Sequence, residues 1–172
     1  MARFKKALTH KLRELIKTAK RARSQAYCPY SRYAIGASVL TGSGRIFGGA
    51  NVENASYGLS LCAERVAIFS AVSRGQKELV AICVVGRSAR PCGACRQVMM
   101  EFSSKDTELI SVDIGGDSRR ESMSRVRMFS MLPGAFDPLD AGLLPPNPQN
   151  LLKRGKGVSV KRRRPLSPRG KG

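Results

Sequence analysis

Residues 80–85, with the sequence VAICVV, form a continuously apolar run near the middle of the chain. A short run without polar alternation is typical of a strand that is covered on both faces, as happens when helices pack on both sides of a sheet. The longest apolar run, residues 79–85, has seven residues, whereas a membrane-spanning helix needs roughly 20. We therefore expect a sheet with helices on its faces and no membrane span.

Helical and strand patterns alternate around this run. Three windows carry apolar or small residues at helical spacing: residues 8–26, 60–74 and 97–102. Three further strands are predicted, the first two forming a hairpin around a Thr-Gly-Ser-Gly turn: residues 34–40, 45–48 and 110–114. The order helix, hairpin, helix, strand, helix, strand predicts a single mixed sheet of the α/β class with helices on its faces.

Charge is concentrated at the two ends of the chain. The net charge is +19, and residues 1–24 hold nine basic side chains and one acid, while residues 153–172 hold nine and none. The part between them is nearly neutral, as an ordinary globular domain is. This predicts three parts: a basic N-terminal extension over residues 1–10, a domain over 11–140 and a disordered basic Pro/Gly-rich tail over 141–172.

The basic ends of the chain are compatible with a negatively charged binding partner. The run KRRR at residues 161–164 suits phosphate binding or nuclear import, although a solvated tail explains it equally. No aromatic residue is interleaved with these charges, so any contact with nucleic acid is expected to be electrostatic rather than base stacking. The N-terminus is not followed by the apolar stretch of a secretory signal. Disulfides are therefore not expected among the five cysteines.

Three cysteines and a glutamate stand at two predicted helix N-termini. Cys62 and Glu64 open one helix, and Cys92 and Cys95 open another thirty residues later. The unpaired amides and dipole of a helix N-terminus stabilise thiolates. A C-x-x-C pair with a third thiolate fills three positions of tetrahedral Zn²⁺ and leaves the fourth for water, which is the catalytic pattern. Glu64 then stands where a general acid/base is needed, although a surface acid is the ordinary alternative.

Two other interpretations of the cysteines stay open at this point. The C-x-x-C pair alone also occurs in redox dithiols, and a zinc-stabilised scaffold with basic arms would bind nucleic acid without catalysis. A fourth protein ligand for a closed zinc site is not evident. The one histidine, His10, lies in the basic N-terminal segment, while Cys83 falls in the apolar strand and Cys28 precedes a proline.

Several motifs, in order along the chain, resemble those of cytidine deaminases, in the short, all-cysteine, homotetrameric branch. They are YCPYSRYAIG at 27–36, NVENASY at 51–57, CAER at 62–65, PCGACRQ at 91–97 and LPGAF at 132–136. The similarity covers residues 11–139 and excludes most of both basic ends. It implies a three-layer α/β/α sandwich with one mixed sheet.

The resemblance also implies a role for each matching residue. Cys62, Cys92 and Cys95 would hold Zn²⁺, and Glu64 would carry protons from the activated water to ring nitrogen 3 and then to the departing amine. Arg65 and Arg96 would offset the negative charge of three thiolates on the metal. The remaining implied residues bind substrate: the Asn51 and Glu53 side chains at the ribose hydroxyls, Tyr33 against the nucleoside, the Ala63 backbone at the cytosine, and Tyr57 and Phe136 reaching a neighbouring subunit's site.

The implied function is zinc-dependent hydrolytic deamination of cytidine and deoxycytidine to uridine and deoxyuridine, in cytoplasmic pyrimidine salvage. A related deaminase of another amino-pyrimidine, either blasticidin S or cytosine in a single-stranded polynucleotide, is the alternative. The Asn-x-Glu pair favours a free nucleoside over both. Residues 118–131 depart from the family, because they are rich in arginine, serine and methionine where its members are usually acidic. This departure leaves the local helix and the subunit contacts open.

Overall fold

The computed structural model describes residues 2–115, 121–138 and 141–143, with side chains from residue 10 onward. In this part of the chain the elements are, in order: α1 (Ala2–Arg23), β1 (Gly36–Thr41), β2 (Ile46–Ala50), α2 (Ala63–Val72), β3 (Leu79–Gly86), α3 (Gly93–Phe102), β4 (Ser103–Asp113) and β5 (Ser122–Arg127). The strands form one sheet in the order β2-β1-β3-β4-β5. Only β3 and β4 are parallel, so the predicted mixed sheet is confirmed.

Strand β3 explains the continuously apolar run, because its two faces are buried by different helices. Cys83 and Val85 pack with Leu15 of α1 on one face of the sheet. Ile82 and Val84 pack on the other face, in the core that α2 and α3 complete. Every second residue of a strand faces the same side, so a strand between two helical layers has no position left for a polar residue. The three-layer arrangement is confirmed.

Helix α2 approaches the sheet closely at Gly49 of β2. A Cβ atom at this position would lie 2.4 Å from the backbone nitrogen of Ala67 and 2.7 Å from the carbonyl oxygen of Ala63. Because both neighbours are backbone atoms and cannot move aside, only glycine is compatible with this approach. Glycine at position 49 therefore allows the first turns of α2, which carry Glu64 and follow Cys62, to pack directly against β2.

Strand β5 was not among the predicted elements. It pairs antiparallel with β4 from Glu108↔Arg127 to Asp113↔Ser122, and all six of its residues are exposed. A strand without a buried face lacks the apolar alternation by which strands are found in a sequence. The resemblance did not decide whether this region forms a helix. Residues 121–131 contain this strand and a short 3₁₀ turn over Met128–Met131.

The chain divides into two compact units, Met1–Phe136, which contains the sheet, and Asp137–Gly172. In the second unit only residues 137–138 and 141–143 are described. Most of the predicted disordered tail therefore lies outside the described residues, and its boundary at residue 140 stays a prediction. None of the described helices is long and apolar enough to cross a membrane.

Candidate metal centre and active site

The three predicted ligand cysteines meet at the N-termini of α2 and α3. Cys62 is the N-cap residue of α2, Cys92 is the N-cap residue of α3, and both have extended backbone conformations. Cys95 lies in the first turn of α3 and is fully buried. The three sulfur atoms all lie within 4.8 Å of one another. The tertiary structure thus brings together thiols that are thirty residues apart in sequence.

Backbone pairing holds Cys62 at this place. The segment between β2 and α2 folds back on itself through Val52 and Leu61, whose N–H groups each donate to the other's carbonyl at 2.9 Å. Tyr27 donates its N–H to the carbonyl of Asn51 at 3.0 Å. These bonds tie the end of the segment to the 27–36 motif, so that Cys62 emerges beside the residues predicted to bind substrate.

The donor set fits zinc. Tetrahedral zinc with sulfur ligands at about 2.3 Å requires sulfur atoms about 3.8 Å apart, and the three sulfur atoms of the cluster, all within 4.8 Å of one another, come close to this spacing. Within the described residues the group contains no fourth cysteine, histidine or carboxylate. Three protein ligands with one position left for water are typical of catalytic rather than structural zinc.

The thiols behave electrostatically as one group. The hydrogen bond from the Cys95 thiol, supported by the Arg65 guanidinium, lowers the pKa of Cys62 to about 5 against the effect of burial. The same hydrogen bond, together with burial, raises the pKa of Cys95. One thiolate is therefore present in the cluster at neutral pH, and this negative charge favours a bound cation.

The two predicted charge-balancing arginines make different contacts. Arg65 donates from Nη2 to the carbonyl of Ser60 at 3.2 Å and to the Cys62 sulfur at 3.8 Å. Its Nε is buried without a hydrogen-bond partner in the described part of the chain. Arg96 instead donates to the carbonyl oxygens of Pro91 at 2.9 Å and Met131 at 3.1 Å. Arg65 thus stabilises the thiolate directly, whereas Arg96 positions the loop that carries Cys92.

Glu64 is buried beside the cluster, with 4% of its surface exposed. Burial raises the pKa of Glu64 to about 7, and the Cys62 thiolate adds to this effect. A carboxyl group with a pKa near the working pH is present in both protonation states, which is what an acid/base catalyst requires. The sequence predicts that Glu64 lies at the start of a helix, but it does not predict that the side chain is buried.

A cavity of about 320 Å³ opens in front of Glu64 and Cys62. Its volume lies at the lower end of the range usual for small-molecule sites. Seven of the predicted residues line it: Tyr33, Asn51, Glu53, Cys62, Ala63, Glu64 and Cys92. The cavity is therefore lined by two of the three predicted metal ligands, the buried acid and most of the predicted substrate-binding residues.

Asn51 and Glu53 are engaged with the loop that precedes β1. The Asn51 side chain accepts the N–H of Ile35 at 2.8 Å and donates to the carbonyl of Tyr33 at 2.9 Å. Glu53 accepts the N–H groups of Tyr30 and Ser31 at 3.0 and 3.1 Å, and the Ser31 hydroxyl as well. These bonds hold the pKa of Glu53 below its ordinary value, the Ser31 hydroxyl having the largest effect. Besides facing the cavity, both side chains therefore hold in place the loop that forms part of its wall.

Tyr33 lines the cavity, but its hydroxyl is directed elsewhere. The hydroxyl donates to the carbonyl of Arg87 at 2.5 Å. Burial raises the pKa of Tyr33, and the nearby carboxylates of Asp113 and Glu64 raise it further. The phenol is therefore neutral at physiological pH and presents its ring to the cavity.

Tyr57 and Phe136 do not line the cavity of their own chain. Their exposed fractions are 73% and 59%. Tyr57 contacts only the edge of the Tyr30 ring among the described aromatic residues, with 5.9 Å between ring centroids. Both side chains are thus available to another molecule.

Six residues that line the cavity were not predicted to be at the site: Ser31, Ile35, Ser60, Leu61, Val84 and Arg90. Ser31 lies inside the matched 27–36 motif, but its contact with Glu53 spans 22 residues and has no local signal. Arg90 immediately precedes Pro91, and its positive charge is the only sequence feature that could have indicated a place at this site.

Comparison with known proteins shows which family this chain belongs to. Residues 9–110 match the family model of the cytidine and deoxycytidylate deaminase zinc-binding region. A cytidine deaminase of Halalkalibacterium halodurans is 49% identical over 125 residues, which cover 71% of this chain and 91% of that protein. A probable cytidine deaminase of Dictyostelium discoideum is 42% identical over 133 residues, covering 75% and 86%.

Solved structures give the same result. The crystal structure of cytidine deaminase from Burkholderia pseudomallei has 44% sequence identity and a TM-score of 0.65, covering 72% of this chain and 98% of that one. The cytidine deaminase of Mycobacterium tuberculosis has 36% identity and a TM-score of 0.60, covering 73% and 97%.

Proposed function

This chain belongs to the cytidine and deoxycytidylate deaminase family, and we propose how its cavity carries out the zinc-dependent hydrolytic deamination of cytidine. The observation that carries the proposal is the cluster of three cysteine sulfurs, two of whose residues line one cavity together with the buried Glu64. Deoxycytidine is proposed as a second substrate, because the proposed reaction takes place on the cytosine ring, which cytidine and deoxycytidine share. Pyrimidine salvage in the cytoplasm is the role proposed for both reactions.

Cys62, Cys92 and Cys95 are proposed to hold the zinc. When bound, zinc supplies Lewis-acid activation of a water molecule for attack on carbon 4 of the pyrimidine. Arg65, whose guanidinium lies 3.8 Å from the Cys62 sulfur, partly offsets the charge of the thiolates. Arg96 holds the loop on which Cys92 is carried through its bond to Pro91.

Glu64 is proposed to move the protons. Its carboxylate accepts a proton from the attacking water and delivers it to ring nitrogen 3, and a second proton then passes to the amino group, which leaves as ammonia. Burial, which places its pKa at about 7, makes both transfers accessible at neutral pH. The N–H of Ala63, at the first position of α2, is proposed to read the cytosine, and the Tyr33 ring to pack against the nucleoside.

Asn51 and Glu53 are proposed to bind the ribose hydroxyls while keeping their bonds to the 30–35 loop. Each carboxylate oxygen has two acceptor sites, so Glu53 retains capacity for a sugar hydroxyl beyond its bonds with Tyr30 and Ser31. The loop bonds fix the direction of the carboxylate before substrate arrives. This preorganisation lowers the entropy cost of binding the sugar.

Glu53→Gln is expected to raise KM for cytidine by about tenfold to one hundredfold, the worth of one hydrogen bond to a charged group. A substrate that lacks the hydroxyl bound by Glu53 has no such bond to lose, so its KM should change little. That substrate is 2′-deoxycytidine if Glu53 binds the 2′-hydroxyl and 3′-deoxycytidine if it binds the 3′-hydroxyl. Steady-state kinetics with the three nucleosides measure this difference. Ser31→Ala is the control, because it removes a loop bond to Glu53 and leaves the carboxylate in place. An equal loss on all three substrates would show that Glu53 only supports the loop.

A homotetramer is proposed, in which Tyr57 and Phe136 reach the cavity of a neighbouring subunit. Large apolar side chains cluster on the surface near the cavity and are exposed in the single chain: Tyr27, Tyr30, Val52, Tyr57, Leu59 and Leu61. Contiguous exposed apolar surface of this kind is characteristic of an interaction site.

Tyr57→Ala is expected to weaken subunit association by about 30-fold or more, as removal of a central interface tyrosine does. Light scattering after size-exclusion chromatography should show a shift from tetramer to smaller species, with a parallel loss of kcat/KM. Val80→Ala, at a partly exposed position in β3, should leave the mass unchanged. A tetramer of full activity in Tyr57→Ala would place this side chain outside the interface.

The activity itself is tested by following the ultraviolet absorbance change as purified, zinc-loaded protein converts cytidine to uridine. We expect turnover of cytidine and deoxycytidine and none of cytosine within a single-stranded oligonucleotide. Absence of nucleoside turnover at one zinc per chain would contradict the proposal, and blasticidin S would then be the next substrate to assay.

A further inference from the structure

Helix α1 carries a stripe of exposed basic side chains, formed by Arg13, Lys17, Lys20 and Arg21. Residues spaced by three, four or eight positions lie on one side of an α-helix. The opposite side of the helix holds Leu15, which is fully buried against the sheet. The stripe is therefore fixed on a rigid, packed helix and faces solvent. We call it the basic stripe.

Most charges of the basic stripe are not neutralised within the protein. In the described part of the chain, Lys20 binds Glu121 at 2.6 Å, and no ion pair involves Arg13, Lys17 or Arg21. The one acid of the helix, Glu14, binds Lys11 at 3.0 Å. Within the described residues, three cations of the stripe thus have no acidic partner, and the two nearby acids, Glu14 and Glu121, are each paired with a lysine.

A second cavity lies directly beside the basic stripe, between α1 and β2. Its volume is about 540 Å³, and it shares no lining residue with the active-site cavity. Thr18, Arg21 and Gln25 contribute hydrogen-bond donors to it, and its lining contains no acidic residue. Gly48 also lines it, and a Cβ atom at this position would lie 3.1 Å from Thr18 Cγ2. Arg21 belongs to both features, so the cavity extends the basic surface.

We propose that the basic stripe and this cavity bind the phosphate backbone of a nucleic acid, with a backbone phosphate seated at Arg21. Closely spaced cations with adjacent neutral donors suit a chain of phosphates, which carries regularly repeated negative charges. Residues 10–26 contain no aromatic side chain, so the basic stripe itself offers no platform for base stacking, and the proposed contacts are to phosphates, which carry no sequence information. The function is distinct from nucleoside deamination and uses none of its residues.

An anionic membrane fits this surface less well than a nucleic acid does. A helix that lies on a membrane inserts its apolar face into the lipid. In α1 that face is already occupied, because Leu15 and Ala19 are fully buried in the protein. Electrostatic attraction alone remains, and it favours the higher charge density of a nucleic acid.

The test is fluorescence anisotropy of labelled DNA and RNA, single-stranded and duplex, with the full-length zinc-loaded protein at several salt concentrations. The variant Arg13→Gln/Lys17→Gln/Arg21→Gln should flatten the slope of log K against log salt for duplex DNA by about 2.7, because each lost phosphate contact changes it by about 0.9. Between roughly 50 and 200 mM salt, the wild-type protein should therefore lose about 40-fold more affinity than the variant.

The matched control is Arg45→Gln/Lys77→Gln/Lys105→Gln, which removes the same charge at exposed positions outside α1. Retention of the wild-type slope by this control supports the proposal, and melting temperatures verify that both variants are folded. Equal slopes for the two triple variants, or a wild-type slope in the helix variant, would overturn it. So would binding to phosphatidylserine vesicles that depends on the basic stripe at a salt concentration where no nucleic acid is bound.

Discussion

Glu64→Gln is expected to lower kcat for cytidine by about 100-fold to 10,000-fold, the usual contribution of a general acid/base. The glutamine side chain has nearly the shape of the glutamate but neither accepts nor releases a proton. Because Glu64 is 4% exposed and lines the cavity, an acid or base dissolved in the solvent cannot readily take over its proton transfers. The zinc ligands are untouched, so the variant should bind about as much zinc as the wild-type protein.

The measurement is kcat by ultraviolet absorbance together with zinc content by mass spectrometry. Glu101→Gln is the matched control, since Glu101 is an exposed glutamate on α3 and its substitution should leave kcat unchanged. A Glu64→Gln variant with near wild-type kcat at full zinc content would assign the proton transfer to another group.

Cys95→Ser is expected to abolish stoichiometric zinc binding and to lower the melting temperature by about 10 °C. The serine oxygen is a much poorer zinc ligand than a thiolate. A ligand present at about 1,000 times its Kd stabilises the folded state by about 4 kcal/mol, and each kcal/mol shifts the melting temperature of a chain of this size by about 2–4 °C. Cys95 joins the α3 side of the cluster to the core, so losing the metal also loosens the contact between α2 and α3.

Zinc content and differential scanning calorimetry, with and without a chelator, measure this effect. The chelator should lower the melting temperature of the wild-type protein and leave that of Cys95→Ser unchanged. Cys83→Ala is the matched control, because Cys83 is equally buried but lies in β3, outside the cluster. It should lose some packing energy and keep its zinc. One zinc per chain in Cys95→Ser would contradict the assignment of this ligand.

Helices and strands that bury one or both of their faces could be predicted from the sequence. Strand β3 was recognised because burial on both faces excludes polar residues from the run at 80–85. The pairing of Cys92 and Cys95 was also predictable, because residues three apart at a helix start lie on one turn. Strand β5 was missed, since none of its residues is buried and its sequence carries no apolar periodicity. Cytidine deamination and zinc, predicted from the motifs, are confirmed by the family match, whereas the roles of individual side chains stay predictions.

Local sequence by itself determined the helices, the central strand, the zinc-type donor set and the family, because these depend on neighbouring residues or on short motifs. The tertiary structure decided which distant groups meet. It brought Cys62 to Cys92 across thirty residues, buried Glu64 enough to raise its pKa to about 7, and attached Glu53 to Ser31 across 22 residues. It also left the basic stripe of α1 exposed beside a cavity. Burial and long-range contact depend on how helices and sheet pack, and close approaches such as that of α2 to Gly49 become visible only in the folded chain.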